Sequence, residues 1–354
     1  MIQRREFIGT VAALSASFSL PKFASAKNQD RLNWRSDVIE TVAHSKAARS
    51  PVVTGVSLQP GGNQLAIVGD DHYIGIYDTV ERRYQRHLDR HSDWVRTTQF
   101  SPDGKHLASA GNDRMLNIWS TESWAIPEIS KRHPQAIIAV AYSNDGGKIA
   151  TVGFEETLRV YETTNGDLVQ RLKCACPDNH AVAFSADGRQ LAAGGRCGKI
   201  RVWDTTNGSQ IAEFKAHKKR IRSIEFAADG KIVSAGDDQT VRLNDPANPA
   251  NSRAMPRHAS KLYTTALLSG DLIATGGSDN HIHVWQRSDM QEVGTLKGHT
   301  GTVSCLDFAN NRLVSGSYDT HVRLWTTEHQ TSAPITQGTP PSRQTSNGWN
   351  RKLK

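Results

Sequence analysis

Histidine, a hydroxyl residue and aspartate recur as a set along this 354-residue chain. His91, Ser109 and Asp113 form one set, His258, Thr275 and Asp279 another, and His299, Ser315 and Asp319 a third. On a single scaffold these types make a nucleophile, its base and the carboxylate that orients the base, which is the chemistry of acyl transfer. Here they return at nearly the same offsets, whereas an active site is needed once. The recurrence therefore assigns them to structure, as staples within a repeating unit. The other residues able to do chemistry are clustered: Cys174, Cys176 and Cys197, with His180 between them, while Cys305 stands alone.

The units that must position these residues announce themselves by their period. The stretch Leu107–Trp119 returns, with changes, as Leu313–Trp325, and seven copies end at Tyr77, Trp119, Tyr161, Trp203, Asn244, Trp285 and Trp325. The successive spacings are 42, 42, 42, 41, 41 and 40 residues. A period of roughly 40–45 residues with four short strands per unit predicts a β-propeller. The second copy shows how: an alternating run Val95–Phe100, a turn at Ser101-Pro-Asp-Gly104, then strands Lys105–Ser109 and Met115–Trp119 about a tight turn at Gly111-Asn-Asp113, and a fourth run at Trp124–Ile129. The Asp-Gly turn recurs at Asp145, Asp187 and Asp229. Helix-period runs are absent after residue 30, so the fold class expected is all-β, with seven blades.

Over residues 36–327 the copies resemble the WD40-repeat family. In that family a histidine, a serine or threonine, an aspartate and the strand-ending tryptophan form a hydrogen-bonded set inside one blade. The resemblance gives three full sets here: His91, Ser109, Asp113 and Trp119; His258, Thr275, Asp279 and Trp285; and His299, Ser315, Asp319 and Trp325. The third copy has His133 and Thr151 but Glu155 and Tyr161, the fifth has His217, Ser234 and Asp238 but Asn244, and the first keeps only Asp71 and Tyr77. The seventh copy lacks a fourth strand of its own. Asp37–Ala43 precedes the first copy at the right spacing, and an unpaired sheet edge is a liability, so this segment is expected to close the ring as the outer strand of the last blade.

In the fourth copy Ala175 stands where the resemblance implies histidine, and Cys197 where it implies aspartate. Three readings stay open. Cys197 forms a disulfide with Cys176 or Cys174; or Cys174, Cys176, His180 and Cys197 make a tetrahedral zinc site, against which the C-x-C spacing speaks; or the thiols are unpaired. Cys305, in the first strand of the last copy, reads as a small core residue. No metal and no cofactor is assigned.

The resemblance also implies where a partner binds. Positions three and five after the histidine, and the one before the aspartate, line one rim of the ring in WD40 proteins. Carried over, these are Trp94 and Arg96, Phe154, His180 and Arg196, Arg220 and Arg222, Lys261 and Tyr263, and Tyr318. Arginine and aromatic residues dominate interface hot spots, and arginine offers a fork to carboxylates. The expected ligand is a protein or peptide with acidic or aromatic residues, taken up by a monomer within a hetero-complex. A non-catalytic interaction platform is therefore the leading function. A propeller enzyme of the hydrolase or lactonase type, or a carrier of metal or small ligand at the cysteines, stands behind it. No one-off set of convergent acids or histidines at channel-facing loops stands apart from the repeats, as an enzyme would need.

The two ends read differently from the middle. Residues 1–26 join a basic start with Arg4-Arg5, a short apolar run and Ala24-Ser-Ala26, and resemble a bacterial twin-arginine export signal. The expectation is cleavage near Ala26, a linker over 27–35, no transmembrane segment in the mature chain, and a periplasmic or cell-envelope location. Residues 328–354 form a basic tail rich in Ser, Thr, Pro and Gln, expected to be disordered. Of the net charge of +8, residues 1–26 carry +2 and the tail from Thr331 carries +4. The basic balance thus sits at the ends, and it gives no ground for a nucleic-acid partner.

Overall fold

Each repeat becomes an antiparallel four-stranded sheet because its alternating runs are joined by tight turns that bring consecutive strands side by side. The computed structural model describes residues 34–42 and 49–327, which form seven such sheets. The strands nearest the central axis are Val53–Leu58, Val95–Phe100, Ile137–Tyr142, Asn179–Phe184, Ile221–Phe226, Leu262–Leu268 and Val303–Ala309. Each lies against its neighbours in order, and the last returns to the first, so the blades form a closed ring. Expectations for residues 1–26, for 27–33 of the linker and for 328–354 lie outside the described residues. Among the described residues no helix is long and apolar enough to cross a membrane.

Closure is achieved by the first strand among the described residues. Trp34–Glu40 pairs antiparallel with His321–Thr327, Trp34 opposite Thr327 and Glu40 opposite His321, as the outer strand of the seventh blade. The strand lies three residues earlier than the segment 37–43 expected from the spacing. Its one deeply buried side chain, Ile39, sets the register by packing with Val53, Val314, Val322 and Leu324. A slip of one residue would turn Ile39 to solvent. Thr41 then ends the strand by donating to the carbonyls of Thr320 and Pro51.

The core is not central. Seven apolar clusters lie between consecutive sheets, and one of them joins the seventh blade to the first. Between blades 1 and 2, for example, Ile74, Ile76 and Leu88 meet Val95, Phe100, Leu107 and Trp119. Sheets with both faces buried explain why the second and third strands read as nearly continuous apolar runs. At the axis the inner strands exchange polar contacts instead. Ser57, Gln99, Glu225, Thr264 and Asp307 each accept the backbone N–H of the next blade, from Phe100, Tyr142, Leu267, Leu306 and Leu58 respectively. These bonds satisfy backbone donors that face the axis rather than another strand.

Every inner strand carries a β-bulge directly after its first residue, at Val53/Gly55, Val95/Thr97, Ile137/Ala139, Asn179/Ala181, Ile221/Ser223, Leu262/Thr264 and Val303/Cys305. A bulge leaves one residue unpaired and re-aims its side chain. The opposite strand ends close against the loop before the bulge. A Cβ at Gly153 or Gly195 would collide with the carbonyl oxygen of Ala136 or Asp178, so glycine is needed there.

Candidate functional site

The staples are the first candidates, because their residue types are those of a catalytic triad. In blade 2 His91 Nδ1 lies 2.8 Å from Asp113 Oδ2 and Nε2 2.8 Å from Ser109 Oγ, which also accepts from Trp119 Nε1 at 3.0 Å. Blade 7 repeats this through His299, Asp319, Ser315 and Trp325 at 2.9, 2.7 and 2.8 Å. His91, Ser109, Trp119, Ser315 and Trp325 are all buried, so the hydroxyl has no path to a substrate. Burial opposes ionisation of Asp113, Asp238 and Asp319. Hydrogen bonds from the histidines and from nearby backbone N–H groups outweigh it and hold all three below the ordinary carboxylate value. The sets are closed hydrogen-bond networks inside the blades.

Two blades differ from the reading of their residues. In blade 5 the set with Asn244 is complete after all: His217 reaches Asp238 and Ser234 at 2.9 and 2.7 Å, and Asn244 Nδ2 donates to Ser234 at 2.8 Å, as the tryptophan does elsewhere. An amide N–H and an indole N–H are equivalent donors at that point. The blade 6 set, read as full, is broken. Trp285 still donates to Thr275 at 2.9 Å, but His258 Nδ1 stands 3.7 Å from Asp279 and bonds Ser260 instead. His283, from the adjoining strand, has taken Asp279, at 2.9 Å. A second imidazole competes for one carboxylate, and the competitor is close because it lies on the same strand pair. In blade 3 His133 bonds Tyr161 Oη at 3.0 Å, while Glu155 turns to Arg159.

The cysteines are four free thiols, with no bridge from Cys197 to Cys176 or Cys174. Cys174 belongs to the apolar cluster between blades 3 and 4. Cys176 is the near neighbour, and its sulfur accepts the Cys197 backbone N–H at 3.3 Å. His180 is drawn off to Asp178, at 2.7 Å, so the four zinc ligands weighed above are not brought together. Burial pushes the Cys174 and Cys305 thiols up to about 12. For Cys197 burial acts the same way. The Cys176 thiol, the Lys199 N–H and the Arg201 guanidinium outweigh it and leave Cys197 below its ordinary value.

The rim residues gather at the bulges. Arg96, Ile138, His180, Arg222, Tyr263 and Ser304 are the unpaired bulge residues of blades 2 to 7, which re-aims each one off the ladder. Arg96 lies over the Trp94 ring, 4.7 Å from its centroid, and donates to Asn112. Arg222 lies 5.1 Å from the centroid of Tyr263 and grips Asp237 through two nitrogens at 2.8 and 3.1 Å. Arg220 pairs with Asp178 at 2.6 Å. The guanidinium forks of Arg220 and Arg222 are thus engaged inside the molecule, which corrects the picture of a rim of open forks. Arg196 and Lys261 are exposed. So are three aromatic rings, Trp94 at 37%, Phe154 at 45% and Tyr318 at 48%. Phe154 is braced edge-on by His180.

Two acids that residue spacing did not single out face the axis. Glu225 and Asp307 line a cavity of about 310 Å³ between the inner strands, together with Arg96, Gln99 and Thr265. Glu225 accepts from Thr265 Oγ1 and Leu267 N at 2.8 and 3.0 Å, Asp307 from Leu58 N and Phe308 N at 2.7 and 2.9 Å. Burial raises both carboxyls, Glu225 to about 7. Their repeat positions hold Ser57, Gln99 and alanines in other blades, so only the axis reveals them as a pair.

Comparison with known proteins agrees with this geometry. Residues 82–120, 174–204, 208–245, 264–286 and 290–326 match the WD40 family, described as WD domain, G-beta repeat. The chain thus carries WD40 repeats and folds as a seven-bladed propeller. The matches pass over the body of blades 1 and 3, where the staple is reduced to Asp71 and Tyr77 or altered by Glu155 and Tyr161. A U3 snoRNP-associated protein-like EMB2271 of Arabidopsis thaliana is 40% identical over 78 residues, 21% of this chain and 16% of that protein. Mitochondrial division protein 1 of Schizosaccharomyces pombe is 32% identical over 83 residues, 22% of this chain and 13% of its own length. Eukaryotic translation initiation factor 3 subunit I of Xenopus laevis is 39% identical over 61 residues, 17% and 19%. Each alignment covers less than a fifth of the relative.

Proposed function

We propose that the protein is a non-catalytic interaction platform that takes up a partner protein or peptide on the bulge-lined rim. The observation that carries this reading is the exposure of Trp94, Phe154 and Tyr318 on a rigid ring of loops, beside arginines already oriented by Asn112 and Asp237. An oriented guanidinium stacked on an aromatic ring loses little freedom when a partner arrives. Because Asp178 and Asp237 neutralise part of the basic charge, the partner is recognised first by aromatic contact and then by carboxylates meeting Arg196, Lys261 and the outer edges of the paired arginines. The names of the similar proteins, a snoRNP-associated protein and a translation-factor subunit among them, speak of membership in assemblies and support a scaffold. The twin-arginine pattern of residues 1–26 supports action in a bacterial cell envelope, with the ring folded before export.

The test uses the rings rather than the arginines, since removing Arg220 or Arg222 would strand Asp178 or Asp237. The variant Trp94→Ser/Phe154→Ser/Tyr318→Ser should lose a partner captured by the full chain from envelope extracts while keeping its melting temperature. Undiminished capture by that variant rejects the rim as the binding site. Replacing Arg4 and Arg5 by lysine should hold the precursor in the cytoplasm, and normal export of that variant rejects the location.

A further inference from the structure

We propose that blade 6 holds a divalent transition-metal site of the zinc type, formed by His258, Asp279 and His283. One ligand atom from each of the three lies within 4.8 Å of the others. Asp279 Oδ2 is 2.9 Å from His283 Nε2 and 3.7 Å from a nitrogen of His258. Three ligands bound at about 2.0–2.1 Å on a tetrahedral ion stand about 3.3 Å apart, so shifts of about half an ångström around Asp279 and of up to about 1.5 Å between the two imidazoles would seat the ion. The two imidazole rings meet edge to face with centroids 4.0 Å apart.

The rest of the repeat supplies the control. At the position of His283 blades 3, 4, 5 and 7 carry Arg159, Arg201, Arg242 and Arg323, blade 2 carries Asn117, and blade 1 Gly75. Blade 6 alone places a second imidazole there, and there the repeat histidine, His258, stands 3.7 Å from Asp279. His283 is also supported from behind. Its Nδ1 lies 2.7 Å from Glu292 Oε1, a carboxylate that fixes the ring and leaves Nε2 turned toward Asp279. Metal-ligating histidines are held by such a carboxylate, which fixes the tautomer and raises the basicity of the ring. The three side chains keep 9, 24 and 12% of their surface open, enough for an ion to enter and for water to complete the coordination. Two imidazoles and a carboxylate with an open fourth place suit zinc, and cobalt reports on the same geometry.

Co(II) titration of the full chain, freed of metal by a chelator, tests the site through visible absorption. The expected result is one Co(II) per chain with ligand-field bands of a four-coordinate site, displaced by Zn(II). His283→Arg, which installs the residue four other blades carry, should weaken binding at least about tenfold. Glu292→Gln should weaken it by about 10–100-fold through the ring it supports. Cys176→Ser/Cys197→Ser should leave binding unchanged, which separates this site from binding at the thiols. Failure of the wild-type chain to take up Co(II), equal binding by His283→Arg, or loss on removing the two cysteines would each overturn the assignment. Should His283→Arg not fold, His258→Asn decides by the same readout.

Discussion

Glu225 makes stability depend on pH in a direction opposite to the staple aspartates, and the effect is large enough to measure. Its carboxyl faces the axis, between Thr265 and Leu267 of the next blade, and burial pushes it up to about 7 from an ordinary 4.5. A group whose folded value is raised stabilises the fold fully below its unfolded value, and that stability is lost as pH rises through the folded value. For Glu225 the window runs from about 4.5 to about 7. At 1.36 kcal/mol for each tenfold change in proton affinity the ceiling is about 3 kcal/mol. The side chain is only half-buried against the axial cavity, so water screens the charge and about 1–2 kcal/mol is the expected effect. Glu225→Gln keeps the shape and an oxygen for the Leu267 N–H, and it removes the ionisation. Thermal unfolding of the full-length variant and wild type should coincide at about pH 4, below the unfolded value. At pH 8 the variant should melt higher by about 2–5 °C. Equal differences at both pH values, or a variant less stable at pH 8, would refute the assignment of a strained axial carboxylate.

Two further expectations follow from the closure and from the thiols. Deleting residues 34–40 uncovers the ladder edge of His321–Thr327 and removes Ile39 from the cluster between blades 7 and 1. Light scattering after chromatography should then show association and a broadened melt, and a sharp monomeric melt would reject the closing role. Brief alkylation with iodoacetamide near neutral pH should label Cys197 first and leave Cys174 and Cys305 to the end, because Arg201 and the Cys176 thiol favour the Cys197 thiolate while burial holds the other two up. Peptide mass mapping gives the order.

How much of this was legible beforehand differs by element. The period of 40–42 residues was enough for seven blades, and the missing fourth strand of the last copy was enough for closure by the chain's start. Only the bounds of that strand differ, lying three residues earlier than the spacing suggested. The staples of blades 2 and 7 were readable, since each is a local pattern repeated with the strands that carry it. Blade 6 was not: residue type alone could not show that His283 would reach Asp279 before His258 does. Nor could it show that Asn244 supplies the N–H of a tryptophan. The same holds for the rim. Arg220 and Asp178 lie 42 residues apart on neighbouring blades, and nothing in either repeat marks them as a pair.

The division has one physical cause. Backbone alternation, turn chemistry and sheet-edge satisfaction act over a few residues, so the chain's own pattern determined seven sheets, their order and the ring. Which donor meets which acceptor is decided by distances of about 3 Å between segments far apart along the chain. Only the packed ring could therefore settle that two rim arginines are already engaged, that Glu225 and Asp307 share the axis, and that two histidines and an aspartate converge in the sixth blade.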